Sequence, residues 1–357
     1  MKTSTFILYF AMISSCLFLS SCKINEDQSE GNWEGCVVGA YTFDIDGSIF
    51  PEDAEQRIGD LEELLGHEVG SIAWFPTWAD PFPAKECELL NTLGIIPHLT
   101  WELFWPDENT NNTMDVGESG YKVMDEILAG EHDEYLENYA AAASVFGGKV
   151  LMRFMHEFNG NWYVWSGNKN GRENGGPQKV VAVWKYVVDK FKEAGAGNVK
   201  WLWVPHGPST DLSTESWNHL SNYWPGDDYV DWIGLDAYNF YPVDPWGGQR
   251  PYRDFDNCFR AIYDSCTAMS DKPVMIAEFG SGEFNYNGLT KADWIEEAFT
   301  KIKTEYPRIK LFTWFHIKKE LDWRVNSSPE SLDAFKSALE DPYFIGSLKS
   351  IQQYPPK

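Results

Sequence analysis

Beyond residue 22 the sequence has no apolar run long enough to cross a bilayer, which takes about 20 residues. Positive charge is also scarce, since 29 Lys and Arg stand against 54 Asp and Glu, for a net charge of −25. Phosphate backbones repel such a chain, so we expect no nucleic acid partner. No G-x-G-x-x-G turn follows the first apolar run, which argues against a dinucleotide-binding sheet.

Cysteine is equally scarce. Six are present, and two of them precede residue 23. The spacing of the other four matches no zinc site, and we expect neither a metal nor a cofactor. Cys258 and Cys266 lie eight residues apart on a predicted helix, too far to bridge, whereas pairing of Cys36 with Cys87 stays open. We interpret all four as small buried apolar residues.

The first 22 residues resemble a bacterial lipoprotein signal rather than part of the fold. Lys2 precedes an apolar stretch, Phe6–Leu19, which ends in LSSC at Cys22. We expect lipidation of Cys22 and anchoring to the bacterial cell envelope, on the outer membrane; an ordinary signal peptide is the alternative. Residues 23–33 are polar and are typical of a tether.

Aromatic residues are abundant, at 16% of the chain, with 17 Trp and 17 Tyr. Both side chains combine an apolar face with a polar edge, which suits sugar rings in a cleft. An aromatic-rich core would give the same composition, so position along the chain must decide.

Eight apolar runs alternate with helical patterns through the chain, without a linker. They are Cys36–Phe43, Ser71–Trp78, Ile95–Leu103, Lys149–Trp165, Val199–Pro205, Val230–Tyr238, Lys272–Gly280 and Lys310–Ile317. This order predicts parallel strands with crossover helices, and eight units predict an α/β fold closed into a (β/α)₈ TIM barrel. A doubly wound open sheet is the alternative. We expect one barrel domain over residues 34–345, a tail over 346–357, and a monomer.

Reactive groups of such barrels lie at the carboxyl ends of the strands. The polar and aromatic residues at these ends are Glu102, Glu157, Asp236, Tyr238, Glu278, Trp314 and His316. His206, which ends the fifth run, and Trp101, beside Glu102, could each contact substrate or belong to the core.

Glu157 and Glu278 end the strands expected in the fourth and seventh runs, and these strands lie roughly opposite each other around a barrel. Two carboxyl groups about 5–5.5 Å apart can cleave a glycosidic bond with retention, one as proton donor and one as nucleophile. The donor needs a raised pKa, and the nucleophile needs hydrogen-bond donors such as Arg153 or Tyr238.

Three segments carry a resemblance to a known family. Arg153–Trp162 (RFMHEFNGNW) looks like the R-x-x-H-E-x-N-G-x-W signature of glycoside hydrolase family 26, and Gly234–Asn239 and Ala277–Gly280 match its later motifs in order. The resemblance implies a retaining endo-glycanase with Glu157 as acid/base and Glu278 as nucleophile. By the same match Arg153, His156 and Tyr238 would support this pair, and Trp162 and Trp314 would line the sugar sites.

The resemblance leaves the polysaccharide open between mannan and mixed-linkage β-1,3-1,4-glucan, both cut at β-1,4 linkages. Trp101-Glu102 ends the third run, and Phe315-His316 follows Trp314, where mannanases of the family carry a His motif and an Arg. Both departures resemble the glucanase-type members. The alternatives are an exo-acting mannobiohydrolase, a β-1,3-xylanase and a glycan-binding protein without activity.

Overall fold

The computed structural model describes residues 34–43, 50–78, 80–103, 122–207, 214–243, 245 and 247–347. Cys22, the 23–33 tether and residues 348–357 of the expected tail lie outside these ranges. Within them, no helix combines the length and the apolar character that a membrane crossing requires.

Eight parallel strands close into a barrel. In chain order the strands are β1 (Cys36–Tyr41), β2 (Ser71–Trp74), β3 (Ile96–Trp101), β4 (Val150–Phe154), β5 (Val199–Trp203), β6 (Trp232–Asn239), β7 (Val274–Ser281), β8 (Asn285–Tyr286), β9 (Leu289–Thr290), β10 (Ile309–Phe315) and β11 (Phe344–Ile345). The barrel consists of β1 to β7 and β10, and pairing of β10 with β1 closes it. β8 and β9 form a separate hairpin, and β11 is a short addition to β1. Each barrel strand overlaps one predicted run, which confirms the (β/α)₈ prediction.

Helices surround the sheet. They are α1 (Ala54–Leu65), α2 (Ala84–Leu93), α3 (Val123–Leu128), α4 (Asp133–Phe146), α5 (Gly176–Glu193), α6 (Phe255–Met269), α7 (Lys291–Thr304) and α8 (Pro329–Leu339). Gly66, Gly94 and Gly147 end α1, α2 and α4 in the left-handed conformation, which glycine adopts without a steric penalty. Between β5 and β6 the described residues form 3₁₀ turns, including Ser216–Asn218 and Leu220–Tyr223.

Alternation along the strands divides their side chains between the two faces of the sheet. The inner apolar cluster is Val37, Ile96, Leu151, Leu202, Val204, Trp232, Met275, Ala277 and Leu311. Further along the same face come the buried polar residues His98, Thr100, Arg153 and Asp236. The outer face packs against the helices in the main core. All four described cysteines are buried and free, so Cys36 and Cys87 do not pair.

One strand departs from strict alternation. β7 pairs Ile276 with Leu235 of β6, but the next pair joins Glu278 to Asp236, so Ala277 is an extra residue on β7. The ladder with β10 shifts at the same place. A bulge of this kind turns two successive side chains to one face. Ala277 lies in the inner cluster, and Glu278 therefore also points into the barrel mouth rather than into the helix layer.

Candidate active site

A cleft of ≈ 540 Å³ lies at the carboxyl ends of the barrel strands. Both predicted catalytic carboxylates, Glu157 and Glu278, line it. Aromatic and charged residues from the ends of β6 and β10 and from the loops after β4, β5, β6 and β10 complete its wall: Trp162, Tyr163, His206, Tyr238, Phe240, Arg250, Arg253, Phe315, Lys319, Glu320 and Trp323. The combination of two acids with aromatic walls is what the sequence predicted for a sugar cleft.

Glu278 accepts hydrogen bonds on both carboxylate oxygens. Arg153 Nη1 donates to Oε2 at 2.7 Å, and the Tyr238 hydroxyl donates to Oε1. Arg153 also donates to Asp236 and, at 3.3 Å, to Thr100 Oγ1. Donors from two strands, β4 and β6, thus fix the orientation of Glu278.

Arg153 is the buried charge on which this arrangement depends, since only 1% of it is exposed. Burial lowers the pKa of its guanidinium, but the charges of Asp236, Glu278 and Glu157 outweigh burial and raise it. Burial raises the pKa of Asp236 well above its usual value, although Arg153 opposes the rise. Asp236 is completely buried. Among the described residues, Arg153 is the only cation within salt-bridge distance of it.

Glu157 lies just past β4 in a strained turn. Its φ is 52° and that of Met155 is 47°, a region that side chains other than glycine seldom occupy. The backbone N–H of Glu157 donates to Val204 O at 2.7 Å, which ties the turn to the end of β5. Strain held by surrounding contacts is a common property of reactive sites.

Two donors contact the carboxylate of Glu157. Trp162 Nε1 donates to Oε2 at 2.7 Å, and His206 Nδ1 lies 2.8 Å from Oε1. Burial raises the pKa of Glu157, but the charge and hydrogen bond of His206, with help from Arg153 and Trp162, lower it below its ordinary value. The sequence-based expectation of a raised pKa is therefore wrong for the free protein, because the partner of Glu157 is a histidine.

Comparison with known proteins assigns the family. A model of "Glycosyl hydrolase family 26" matches residues 131–308, which contain both Glu157 and Glu278. The chain belongs to glycosyl hydrolase family 26. It is 33% identical over 315 residues, or 87% of its length, to Endoglucanase H of Acetivibrio thermocellus. It is 26% identical over 54% of its length to mannan endo-1,4-beta-mannosidase A and B of Caldalkalibacillus mannanilyticus. The matches cover 31% and 32% of these relatives, so the chain spans about a third of their length.

Solved structures of family 26 share the fold. The catalytic domain of an endo-beta-1,4-mannanase from Bacillus sp. JAMB-750 superposes with a TM-score of 0.63 at 20% identity, over 89% of this chain and 88% of that one. A Cellulomonas fimi endo-beta-1,4-mannanase gives 0.62 at 17% identity, over 89% and 73%. At these identities the likeness shows the barrel alone.

Two tryptophans that we considered as sugar platforms of the family 26 site lie elsewhere. Trp101 is fully buried and stacks on Tyr139 at 4.3 Å, and Trp314 is 1% exposed and packs edge-on against Phe335 at 5.2 Å. Each sits on the outer face of its strand because its neighbours point inward. This placement corrects both assignments, and Phe315 lines the cleft instead of Trp314.

Two further predicted residues lie close to the family 26 carboxylates. His156 is buried, and its Nε2 lies 2.8 Å from the hydroxyl of Tyr163, so it positions a cleft residue rather than Glu157 itself. Burial, followed by the charge of Arg153, lowers the pKa of His156 well below its usual value, which keeps the ring neutral. Glu102 is 9% exposed, and burial raises its pKa to about 8 although Arg153 and Lys319 oppose this.

Sequence reasoning missed several residues of the family 26 cleft. His206 was left open, although it continues the inward alternation of Leu202 and Val204 on β5 and could have been assigned on that ground. No comparable signal marks the loop residues Arg250, Arg253, Lys319 and Trp323, because only the tertiary structure brings their loops to the barrel mouth.

Proposed function

We propose that this family 26 chain is a retaining endo-β-glycanase in which Glu157 is the acid/base and Glu278 the nucleophile. The observation that carries the proposal is the different environment of two carboxylates in one cleft. Glu278 accepts from a permanent cation and a phenol, whereas Glu157 contacts the indole N–H of Trp162 and the imidazole of His206. Two carboxyl groups of the same type can act as acid and as nucleophile only if their surroundings differ.

The chemistry follows from these contacts. The Glu278 carboxylate attacks the anomeric carbon while Glu157 gives its proton to the departing glycosidic oxygen, and a glycosyl ester forms. Water then attacks the ester, Glu157 takes a proton from that water, and Glu278 leaves as the free carboxylate. Arg153 and Tyr238 hold Glu278 in line throughout.

His206 accounts for a proton donor whose pKa is lowered in the free protein. The charge and hydrogen bond of His206 lower the pKa of Glu157 against the effect of burial. A sugar that excludes water from the cleft disfavours the ionised carboxylate and therefore raises the pKa of Glu157 in the complex. Glu157 is then protonated at the moment at which the leaving oxygen needs the proton.

We place mixed-linkage β-glucan first among the substrates. The similarity to an endoglucanase extends over 87% of the chain, whereas the mannosidase match extends over 54%. Glu102 and Phe315, which carry the departures from the mannanase pattern, lie at the ends of β3 and β10 beside the carboxylates. Mannan is the second candidate, because several relatives bear that activity in their names.

Release of reducing sugar from barley β-glucan, galactomannan and β-1,3-xylan tests the activity. We expect release by the unmutated chain and none by Glu278→Ala, with a ladder of products in the first minutes. A single early oligomer would replace the endo mode by an exo mode. No release from any polymer would sink the enzyme proposal and favour a glycan-binding protein.

We also propose that a lipid on Cys22 anchors the protein to the bacterial cell envelope. The support is the sequence alone: an apolar segment, Phe6–Leu19, followed by LSSC and a polar tether. An anchored enzyme of this kind would act on polysaccharide at the membrane surface as a monomer.

A further inference from the structure

Exposed apolar side chains concentrate at one place beside the cleft. Among the described residues five large hydrophobic side chains are exposed: Leu128, Val145, Val243, Tyr286 and Leu289. Val243 belongs to the loop after β6, and Tyr286 and Leu289 belong to the β8–β9 hairpin after β7. Single exposed apolar residues need no explanation, but a group of three on neighbouring loops at the active end of a barrel does.

Aromatic rings on these two loops form one assembly. Tyr252 stacks on Tyr286 with ring centroids 4.6 Å apart and an angle of 13° between the rings. Tyr241 contacts Tyr286 edge-on at 5.3 Å, and Phe284, 9% exposed, lies 5.3 Å from Tyr252. Tyr286 is the outermost ring, with 37% of its surface exposed, and its cross-strand partner Leu289 shares its face of the hairpin.

The hairpin that carries Tyr286 is rigidly built. Its turn residues Asn287 and Gly288 have φ of 54° and 91°, as an Asn-Gly hairpin turn requires. The next residue after the hairpin starts α7, where Thr290 and Asp293 form a reciprocal capping box. The exposed ring is therefore held in place before any ligand arrives, which lowers the entropy cost of binding.

A buried amide ties the two loops together. Asn239 is fully buried at the end of β6, and its Oδ1 accepts from the backbone N–H groups of Tyr241 at 3.3 Å and Arg253 at 3.4 Å. Its Nδ2 donates to Ser281 Oγ at 3.1 Å, at the end of β7. Asn239 thus connects both ends of the loop after β6 to Ser281, from which the chain continues into the hairpin.

The chain segment that carries Tyr252 also contributes to the wall of the catalytic cleft. Pro251 and Arg253 line the cleft, and Tyr252 lies between them in the chain. We propose that Tyr252 and Tyr286 form a second sugar platform, which binds residues of the polysaccharide chain beyond those at Glu157 and Glu278. This inference rests on the proposed function and adds a site to it.

A sugar chain fits this surface better than a protein does. The flat face and polar edge of tyrosine match a pyranose ring. A stable protein interface buries about 800 Å² on each partner, which needs far more than three exposed apolar side chains. The polymer also has to leave the cleft over some part of its rim, and the β6 loop is part of that rim.

Binding is measured apart from hydrolysis. In a Glu278→Gln background, migration is followed by electrophoresis in gels that contain barley β-glucan or galactomannan. We expect Tyr286→Ala and Tyr252→Ala each to weaken binding to the retarding polymer by about three- to tenfold, the size of one aromatic contact. Tyr286→Trp should restore the retardation. The control is Val145→Ala. Val145 is an apolar residue that is 88% exposed, and it lies at the end of α4, on the side of the barrel away from the cleft.

Kinetics of the active chain give a second readout. Tyr286→Ala should raise KM for the polymer and leave hydrolysis of a short aryl glycoside unchanged. Full retardation of both tyrosine variants would overturn the platform, whether or not the chain is an enzyme. A third outcome is that the parent is retarded, the tyrosine variants are not, and the chain hydrolyses no polymer. This outcome would support the platform and overturn the proposed activity. If neither gel retards the parent, the platform is overturned, and release of reducing sugar alone decides the proposed activity.

Discussion

His206 Nδ1 lies 2.8 Å from Oε1 of Glu157, so the candidate proton donor is directly coupled to a second titratable group. The charge and hydrogen bond of His206 lower the pKa of Glu157 against the effect of burial. The pH dependence of the reaction should therefore change when His206 is replaced.

Replacing His206 should move the alkaline side of the pH profile. The pKa of Glu157 lies below its ordinary value because His206 outweighs the effect of burial. His206→Asn removes that charge, so the pKa of Glu157 rises and the acid stays protonated to higher pH. We expect the alkaline limb of kcat/KM on polymer to shift upward. His67→Asn, at the opposite end of the barrel, is the control, and an unmoved limb in His206→Asn would remove His206 from this role.

Loss of the acid should depend on the leaving group. Glu157→Ala should lower kcat on polymer by about 10²–10⁴, the usual contribution of general acid–base catalysis. An aryl glycoside with a dinitrophenyl leaving group needs no protonation, and its cleavage should be largely spared. The measurement is the ratio of the two rates in variant and parent. Equal loss on both substrates would contradict the assignment of Glu157.

Glu102 should make stability depend on pH. Burial raises its pKa from 4.5 to about 8. A carboxyl with a raised folded-state pKa contributes stability that is complete below about pH 4.5 and is lost as the pH rises through about 8. Glu102→Gln cannot ionise, so it should gain up to a few kcal/mol over the parent across that window.

Thermal unfolding at pH 4, 6 and 8 checks this. The difference in Tm between Glu102→Gln and the parent should grow with pH, and the exposed Glu63→Gln should show no such trend. A constant difference would show that Glu102 is not held neutral in the folded state.

Arg153 should be among the most costly charges to remove. Arg153→Met leaves Asp236 completely buried without its cation, which costs about 3–5 kcal/mol. Adding Asp236→Asn should recover part of this loss. The control is Lys179→Met, which breaks a partly exposed ion pair with Asp125 and should cost about 0–1 kcal/mol. Urea unfolding measures all four proteins, and equal losses for the two Met variants would refute the buried-pair account.

The anchor has a direct test. Cys22→Ser should prevent lipidation and release the protein from the membrane fraction of a bacterial host to the soluble fraction. Fractionation and blotting measure the shift, and Cys36→Ser is the matched control. Retention of Cys22→Ser in the membrane would contradict lipidation at that residue.

The strand order and the two carboxylates were predictable because their signals are local. Each apolar run leads into a helical pattern or a loop, and Glu157 and Glu278 lie at the carboxyl ends of β4 and β7. Alternation could also have placed Trp101 and Trp314 correctly, since each neighbours an inward residue. Sequence could not reveal His206 as the partner that lowers the pKa of Glu157, because that contact joins residues 49 apart along the chain.

The extra residue at Ala277 has a consequence for comparing this chain with others. If the same residues alternated strictly, Glu278 would turn toward the helices and Phe279 would enter the cleft. The side of the sheet on which Glu278 lies thus depends on the bulge as well as on the residue types of β7. In an alignment with a strand that lacks the bulge, a one-residue gap at Ala277 keeps Glu278 matched to an inward position.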